Sequence, residues 1–323
     1  MRIIHMTHHD LDGAGCAIAI KHLFNRHLQL GKVQVETIGY IDTKQFIFNN
    51  LSIHKDEDLL LIVSDVRVET EVLNSILSTF PNVRKFLYVD HHERVDDRKG
   101  LEGIKYLQKG RFDYRWRKGH AAAKLCYEIA REQGASNSSE MEKLIKCIDA
   151  YDEWKIEEQP FREGYRLNEV FWEMGFFPFY DKFNEGLKWD DDALEIVERK
   201  LKEQDDYFNS NKKYIHTIEL ANDRKLLMSF DPRGLFTNLY TLRYDASLYF
   251  IFGKDKDGLL KFSFRVRDSY FDANQICMTL SEAYKGVSGG GHKGAAGIVF
   301  PKSYTFEDIF DMVMETLEKL YKI

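Results

Sequence analysis

What the chain lacks narrows it first. Its four cysteines (Cys16, Cys126, Cys147 and Cys277) are scattered and form no Cys-x-x-Cys pair, which argues against a disulfide framework or a zinc ribbon. It has no basic excess: Lys and Arg number 46 against 52 Asp and Glu, a formal net charge of −6. A chain so charged does not coat nucleic acid through bulk electrostatics, although a short nucleotide end could still be held in a metal-rich cleft. No apolar run approaches the ~18 residues of a membrane span. The N-terminus runs into a strand with no signal peptide, so the expectation is a cytoplasmic protein without a membrane partner. Internal repeats and low-complexity tracts are not visible. What is there is 44% hydrophobic and 30% charged, the composition of a soluble globular protein. At 323 residues the chain exceeds the roughly 250–300 residues at which single cores stop growing, so two domains are expected.

Three stretches share one shape. Arg2-Ile3-Ile4-His5-Met6-Thr7 runs into His8-His9-Asp10-Leu11-Asp12-Gly13, Leu59–Ser64 runs into Asp65, and Lys85–Val89 runs into Asp90-His91-His92. Each reads as a buried strand whose last residues are polar, and the carboxyl edge of an open α/β sheet is where ligands bind. Strands ending in Asp and His supply the donors of a Mn, Mg or Zn site.

In chain order, Gly13–Ile20 starts a helix with small residues in its first turn, which permit close packing on the sheet. Residues 32–40 alternate as a second strand, and 69–80 reads as a helix. Gly119–Cys126 opens a helix reaching about Gln133, and Ser138 or Ser139 caps another through Ile148. Aromatic, irregular sequence is expected over 161–183, and a long charged linking helix from Asp191 to about Ile215. Strands are expected at 225–230, 247–252 and 259–266, the last two joined by a hairpin turn at 254–258. A helix over 273–284, a glycine-rich loop at 286–297, a final strand and a final helix over 306–321 complete the chain. The fold class is therefore α/β and bilobal: a larger lobe with a mostly parallel sheet flanked by helices, and a smaller C-terminal α/β lobe. The boundaries are 1–190 for a metal-dependent catalytic domain, 191–221 for a linking helix and 222–323 for a substrate-binding domain.

His8-x-Asp10-x-Asp12 has the period of two that turns side chains to one side of an extended chain. Carboxylates crowded this way are costly without a cation. His5 and His9 have the opposite parity and read as structural, whereas His22, His27 and His54 lack ligand context and read as surface residues. One shared carboxylate would let these groups hold two ions, the arrangement used in phosphoester hydrolysis. The Asp and His mixture with no cysteine ligand favours Mn²⁺ or Mg²⁺ over structural zinc.

With these motifs in view, the sequence resembles the DHH phosphoesterase superfamily, through Asp90-His91-His92, His8-x-Asp10-x-Asp12-Gly13, Asp65 and Asp149–Trp154. Ser263-Phe264-Arg265 and Gly289-Gly290-Gly291-His292 with Ala295-Ala296-Gly297 resemble the DHH-associated C-terminal domain. The resemblance implies a dinuclear manganese site. His8, Asp10 and Asp65 would hold one ion, and Asp12, Asp65, His91 and an Asp of the fourth motif the other. Asp149 and Asp152 are both candidates for that last position, and Asp152, directly before Glu153-Trp154, matches the better. It implies further that Asp90 supports its neighbours and that His92 meets the scissile phosphate. Arg265, Gly289, Gly290, Gly291 and His292 would clamp a substrate phosphate, a reading that three glycines beside donors also support.

The spacing of His8 and Asp10 and the Asp-Glu-Trp form of the fourth motif resemble a bacterial nano-RNase branch. The expected partner is thus a short RNA or nucleotide, with hydrolysis of phosphodiester bonds in short oligonucleotides and of 3′-phosphoadenosine 5′-phosphate. Cyclic or linear dinucleotides and polyphosphate are alternative substrates, and a non-catalytic nucleotide sensor is a third reading. A homodimer is compatible with all of these. Phe171-Trp172 and Phe176-Phe177 are read as core packing, with base stacking as the alternative.

Overall fold

The structure, a computed structural model, describes residues 1–24, 33–39, 42–92, 97–102, 104, 110–136, 138–231, 237–254 and 260–323. The described chain divides into two compact units, Met1–Lys200 and Leu201–Ile323.

In the first unit, strands β1 (Arg2–His8), β2 (Val33–Ile38), β3 (Leu59–Ser64), β4 (Val83–Asp90) and β5 (Phe112–Trp116) form one parallel sheet in the order β2-β1-β3-β4-β5. Helices α1 (Leu11–Lys21), α2 (Thr43–Ile53), α3 (Thr70–Thr79) and α4 (Asp97–Glu102) alternate with these strands. Then come α5 (Ala122–Glu132), α6 (Ser139–Asp152), α7 (Gln159–Met174) and α8 (Phe176–Phe183). The inner strand β3 is apolar up to Ser64 and buried throughout, and β1 is buried from Ile3 to Thr7, as parallel strands covered on both faces must be. Alternate residues of β1 serve the two faces. Ile4 and Met6 join Ile47, Leu51, Leu73 and Ile76 in one core, while α1 packs with α5, α6 and α8. The edge strand β2 is half-exposed along most of its length.

The chain passes from β1 outward to β2 and then back across β1 to β3. Connections leaving β1 and β3 therefore diverge to opposite sides, which opens a crevice at their carboxyl ends. Asp and His close those strands, so topology alone gathers them.

Two expectations over this unit are corrected. The stretch 161–183 is not irregular: α7 starts with Pro160 in its first turn, buries Phe161, Leu167, Val170 and Phe171, and is parted from α8 by Gly175 at φ 80°. Helix α6 does not stop at Ile148 but continues to Asp152, because nothing in Asp149-Ala150-Tyr151 breaks it. It ends in paired reverse bonds, Trp154 N–H to Tyr151 O (3.1 Å) and Lys155 N–H to Ala150 O (2.8 Å). That closure places Trp154 in the left-handed region at φ 51°, a position usually given to glycine. Packing of Trp154 against Phe161 and Tyr151 (ring centroids 5.1 and 5.8 Å) offsets the cost.

Helix α9 (Asp191–Asn211) carries the boundary between the units. The second unit continues with β6 (Ile215–Glu219), β7 (Lys225–Phe230), α10 (Thr237–Arg243), β8 (Leu248–Lys254) and β9 (Leu260–Val266). It closes with α11 (Ala273–Ala283), β10 (Ser288–His292), β11 (Ala295–Phe300) and α12 (Phe306–Tyr321). Its sheet has the order β10-β11-β9-β8-β7-β6, antiparallel except where β7 meets β8. Helices α11 and α12 cover a core of Phe250, Phe262, Phe264 and Phe300, and Thr305 with Asp308 forms a capping box at the start of α12. The long helix ends at Asn211 rather than near Ile215, which instead begins β6. Most of the hairpin turn expected at 254–258 lies outside the described residues. Among the described residues no helix is long and apolar enough to cross a membrane.

Candidate metal centre

Strand β1 ends at His8; of the two aspartates that follow, Asp10 keeps an extended backbone (φ −145°, ψ −170°) and Asp12 does not. Asp10 is the N-cap of α1, its Oδ1 accepting from Gly13 N at 2.9 Å, and Asp12 lies in the helix's first turn. His8 and Asp10 meet on one side, Nδ1 to Oδ2 at 2.6 Å, as the spacing of two predicts, whereas Asp12 joins them because a helix starts there. Gly13 makes this start possible: a Cβ at that position would lie 2.0 Å from His8 O. Gly15, one turn in, lets α1 approach α5 and α6, since its Cβ would sit 2.7 Å from both the Ala123 Cβ and the Ile148 Cδ1.

Asp12 is held from outside its own element. Its Oδ2 accepts from Ala122 N and its Oδ1 from Ala123 N, both at 2.8 Å. These are amides of the first turn of α5, unpaired within their helix and carrying its positive pole. Asp65, directly after β3, adopts φ 55°, a conformation uncommon for a residue with a Cβ but tolerated by Asp and Asn. Its carboxylate is buried, and its Oδ2 has no hydrogen-bond partner among the described residues.

His91 faces these carboxylates. Its Nε2 lies 3.4 Å from Asp65 Oδ1, 3.6 Å from Asp152 Oδ2 and 3.7 Å from Asp12 Oδ2, while Glu153 Oε1 takes the Nδ1 proton at 3.0 Å. His92 leans on Asp90 (Nδ1 to Oδ1, 2.8 Å), whose other oxygen accepts from Tyr88 Oη at 2.7 Å. Three groups of donor atoms within 4.8 Å of one another result: His8, Asp10 and Asp65; Asp12, His91 and Asp152; and Asp65, His91 and His92.

Charge crowding shows in the protonation behaviour. Burial, with Asp12 and Asp10 nearby, pushes Asp65 well above the usual carboxylate range, and enclosure among the other carboxylates, Asp12 foremost, raises Asp152, although its side chain is still partly exposed. Burial likewise raises Asp12, although His91 and the Ala122 and Ala123 amides oppose it. Burial would lower His91, but hydrogen bonds to Asp65 and Glu153 and the charge of Asp152 outweigh it, and the imidazole is raised. His8 is raised by its hydrogen bond to Asp10. The donor set therefore fits divalent cations: buried carboxylates repel one another, one buried oxygen is left unpaired, and imidazoles stand within reach.

Asp149 is elsewhere. It accepts from Lys155 Nζ at 2.7 Å, Lys124 Nζ at 3.2 Å and Ala121 N at 2.9 Å. Burial works against its charge, but these donors hold it below the usual range. Of the two aspartates left open by the sequence, Asp152 faces the cluster and Asp149 anchors α5 to the end of α6. Sequence reasoning missed Glu153 and Tyr88 as supports. Tyr88 could have been found, because it precedes Asp90 by two residues on the same strand face. Glu153 had no such signal beyond its place in Asp152-Glu153-Trp154.

The other histidines divide. His5 is fully buried, with Nε2 2.7 Å from Ser64 Oγ, and Ser64 in turn donates to Thr7. His9 is exposed and packs on Phe171 and Phe176. His22, expected at the surface, is buried against Ser136 O at 2.9 Å, because α1 is enclosed on nearly all sides. His54 is partly exposed, and His27 lies outside the described residues.

In the second unit the glycines expected in a loop form strand β10. Gly289 pairs with Ile298, Gly290 with Gly297 and Gly291 with Ala296. Cβ atoms at Gly289 and Gly291 would collide with the β11 backbone at 2.6 and 2.5 Å, and Gly291 N donates to Asn274 Oδ1 at 3.0 Å. Pairing places His292, Ala295 and Arg265 in one row across β10, β11 and β9. Arg265 donates from Nε to Asn238 Oδ1 (2.5 Å) and from Nη1 to Ser263 Oγ (2.6 Å).

This arrangement has relatives. The DHHA1 domain profile matches residues 236–319. A Helicobacter pylori protein named 3′,5′-cyclic-nucleotide phosphodiesterase is 23% identical along 98% of each chain. Oligoribonuclease NrnB of Bacillus subtilis is 21% identical over 90% of this chain and 71% of its own. These matches support a DHH superfamily protein. Solved DHH folds share the architecture. A DHH domain described as coming from a member of a ribosomal protein family superposes with a TM-score of 0.68 at 17% identity, covering 98% of this chain and 87% of that one. The Mn²⁺ complex of RecJ from Thermus thermophilus gives 0.58 at 13% identity, covering 98% and 52%. Here Asp90-His91-His92 lies at the end of β4, beside the switch point of the sheet.

Proposed function

We propose that this DHH protein is a manganese-dependent phosphodiesterase that hydrolyses short oligonucleotides. The observation that carries the reading is the sharing of Asp65: it belongs both to the group with His8 and Asp10 and to the group with His91 and His92. His8, Asp10 and Asp65 would hold one ion, and Asp12, Asp65, His91 and Asp152 the other. Bound there, two divalent cations would neutralise the phosphodiester and acidify the attacking water. The chain's own part is to orient and donate. Glu153 fixes the proton of His91 on Nδ1, so that Nε2 presents a lone pair. Asp90, itself held by Tyr88, fixes the ring of His92, which would direct its other nitrogen at a phosphate oxygen and stabilise charge gathering in flight. Arg265, the Gly289–Gly291 backbone and His292 would hold a phosphate group in the second unit.

A second reading, hydrolysis of 3′,5′-cyclic nucleotides, is favoured by the name of the Helicobacter pylori relative, which aligns over 98% of both chains. The same site could open either bond, since both are phosphodiesters. A side-by-side assay with Mn²⁺ separates them, offering a 5′-labelled RNA trinucleotide, 3′,5′-cyclic AMP, 3′-phosphoadenosine 5′-phosphate and polyphosphate. Mononucleotide release from the trinucleotide as the fastest reaction is the expected result. Turnover of the cyclic nucleotide alone would favour the second reading, and turnover of polyphosphate alone would overturn both.

A further inference from the structure

The aromatic run at the junction of α7 and α8 splits in the fold. Phe171 and Phe176 are buried, but Trp172 is 59% and Phe177 51% exposed. They flank Gly175, whose positive φ turns the chain between the two helices. Core packing accounts for the first pair and leaves the second unexplained, and exposed large rings near a site are candidates for contact with a ligand.

Their position ties them to the metal centre. His9, the residue after the candidate ligand His8, lays its ring against both buried aromatics, 6.0 Å from Phe171 and 5.7 Å from Phe176. Trp172 stands 5.2 Å from Phe171, and Phe177 stands 5.3 Å from Phe176, each edge to face. Each exposed ring is therefore one ring removed from His9, and His9 is one residue removed from the site.

We propose that Trp172 and Phe177 form a stacking platform for a nucleobase of the substrate whose phosphodiester lies at the metal centre; this rests on the nucleotide reading given above. A base offers a flat apolar face to such rings whatever its identity, and stacking needs no hydrogen-bond readout. With a net charge of −6, the protein gains little from bulk attraction to a phosphate backbone. Stacking supplies affinity that charge does not. A second copy of the chain is a poorer occupant. Two aromatic side chains of about 150–250 Å² each fall short of the roughly 800 Å² per partner in a stable interface.

The test compares binding of AMP with that of ribose 5-phosphate in Mn²⁺, for the intact protein and for Trp172→Ala, Trp172→Phe and Phe177→Ala. The wild type should prefer AMP by about tenfold or more, the order expected for one stacked base. Trp172→Ala and Phe177→Ala should each remove much of that preference, and Trp172→Phe should keep most of it. In turnover, Trp172→Ala should raise the KM for an RNA trinucleotide more than it lowers kcat, without a comparable rise for the abasic trinucleotide. An unchanged preference for AMP in Trp172→Ala, or equal weakening toward both ligands, would overturn the platform. So would conversion of a dimer to a monomer by Trp172→Ala with AMP binding intact, which assigns the rings to a contact between copies. If the protein bound AMP in this base-dependent way yet hydrolysed no oligonucleotide, the platform would stand and the oligonucleotide reading would fall.

Discussion

The Nδ1 of His91 is tied to Glu153 Oε1 at 3.0 Å, which leaves Nε2 facing Asp12, Asp65 and Asp152 at 3.4–3.7 Å. A carboxylate behind a ligating histidine sets its tautomer and raises its basicity. Replacing Glu153 by Ala should therefore weaken Mn²⁺ binding by about ten- to a hundredfold while the fold persists. Calorimetric titration checks this, and an unchanged affinity would remove Glu153 from the site.

Asp65 is crowded by Asp12 and Asp10 in a buried setting, and its Oδ2 has no partner among the described residues. Asn suits the left-handed backbone at φ 55°, so Asp65→Asn removes charge without adding strain. In chelator this variant should melt above the wild type, because a repulsive buried charge is gone. With Mn²⁺ the order should reverse, since ions at a hundred times their Kd stabilise by about 2.7 kcal/mol only where they bind. Thermal melts with and without Mn²⁺ measure both, and parallel shifts in the two proteins would contradict the shared-ligand role.

The two aspartates of α6 should separate cleanly. Asp149→Asn strips Lys155 and Lys124 of their partner and should cost about 2 kcal/mol, the order for hydrogen bonds to a charged group, with metal content retained. Asp152→Asn should lose metal and cost little stability. Denaturant melts and metal analysis of both variants check this, and the reverse pattern would exchange their roles.

His5 should govern part of the acid response. Burial lowers it to about 3 from its ordinary 6.5, so the folded state holds it neutral. The stability tied to the neutral ring is complete above pH 6.5 and is lost as the pH falls toward 3, because the unfolded chain takes up the proton first. One proton corresponds to about 1.4 kcal/mol per pH unit. Gln at this position can keep the bond to Ser64 Oγ and does not titrate. His5→Gln in chelator should therefore show a shallower loss of stability between about pH 6 and pH 4, measured by urea melts. Parallel curves would contradict the assignment.

Much of this was legible in the chain because strand ends announce themselves. Runs rich in apolar residues that stop at His8, Asp65 and Asp90 located three neighbouring strands and the edge they share. The resemblance favoured Asp152 over Asp149, but the sequence did not show what separates them, because that depends on where α6 ends. That end is fixed by the left-handed turn at Trp154, a conformation normally marked by glycine. Nor could the glycines at 289–291 be placed, since three glycines suit a phosphate-binding loop as well as a strand pressed against β11. The aromatic stretch 171–177 failed as a single reading because neighbouring helix positions point in different directions: Phe171 went to the core and Trp172 to the surface.

The most direct test of the account is the stoichiometry of Mn²⁺ in chelator-stripped protein, by equilibrium dialysis, with hydrolysis of an RNA trinucleotide followed in the same samples. The account predicts two ions per chain, with activity appearing as they bind and absent in chelator or in Asp65→Asn. A single ion per chain at saturation, or hydrolysis that persists in chelator, would contradict it.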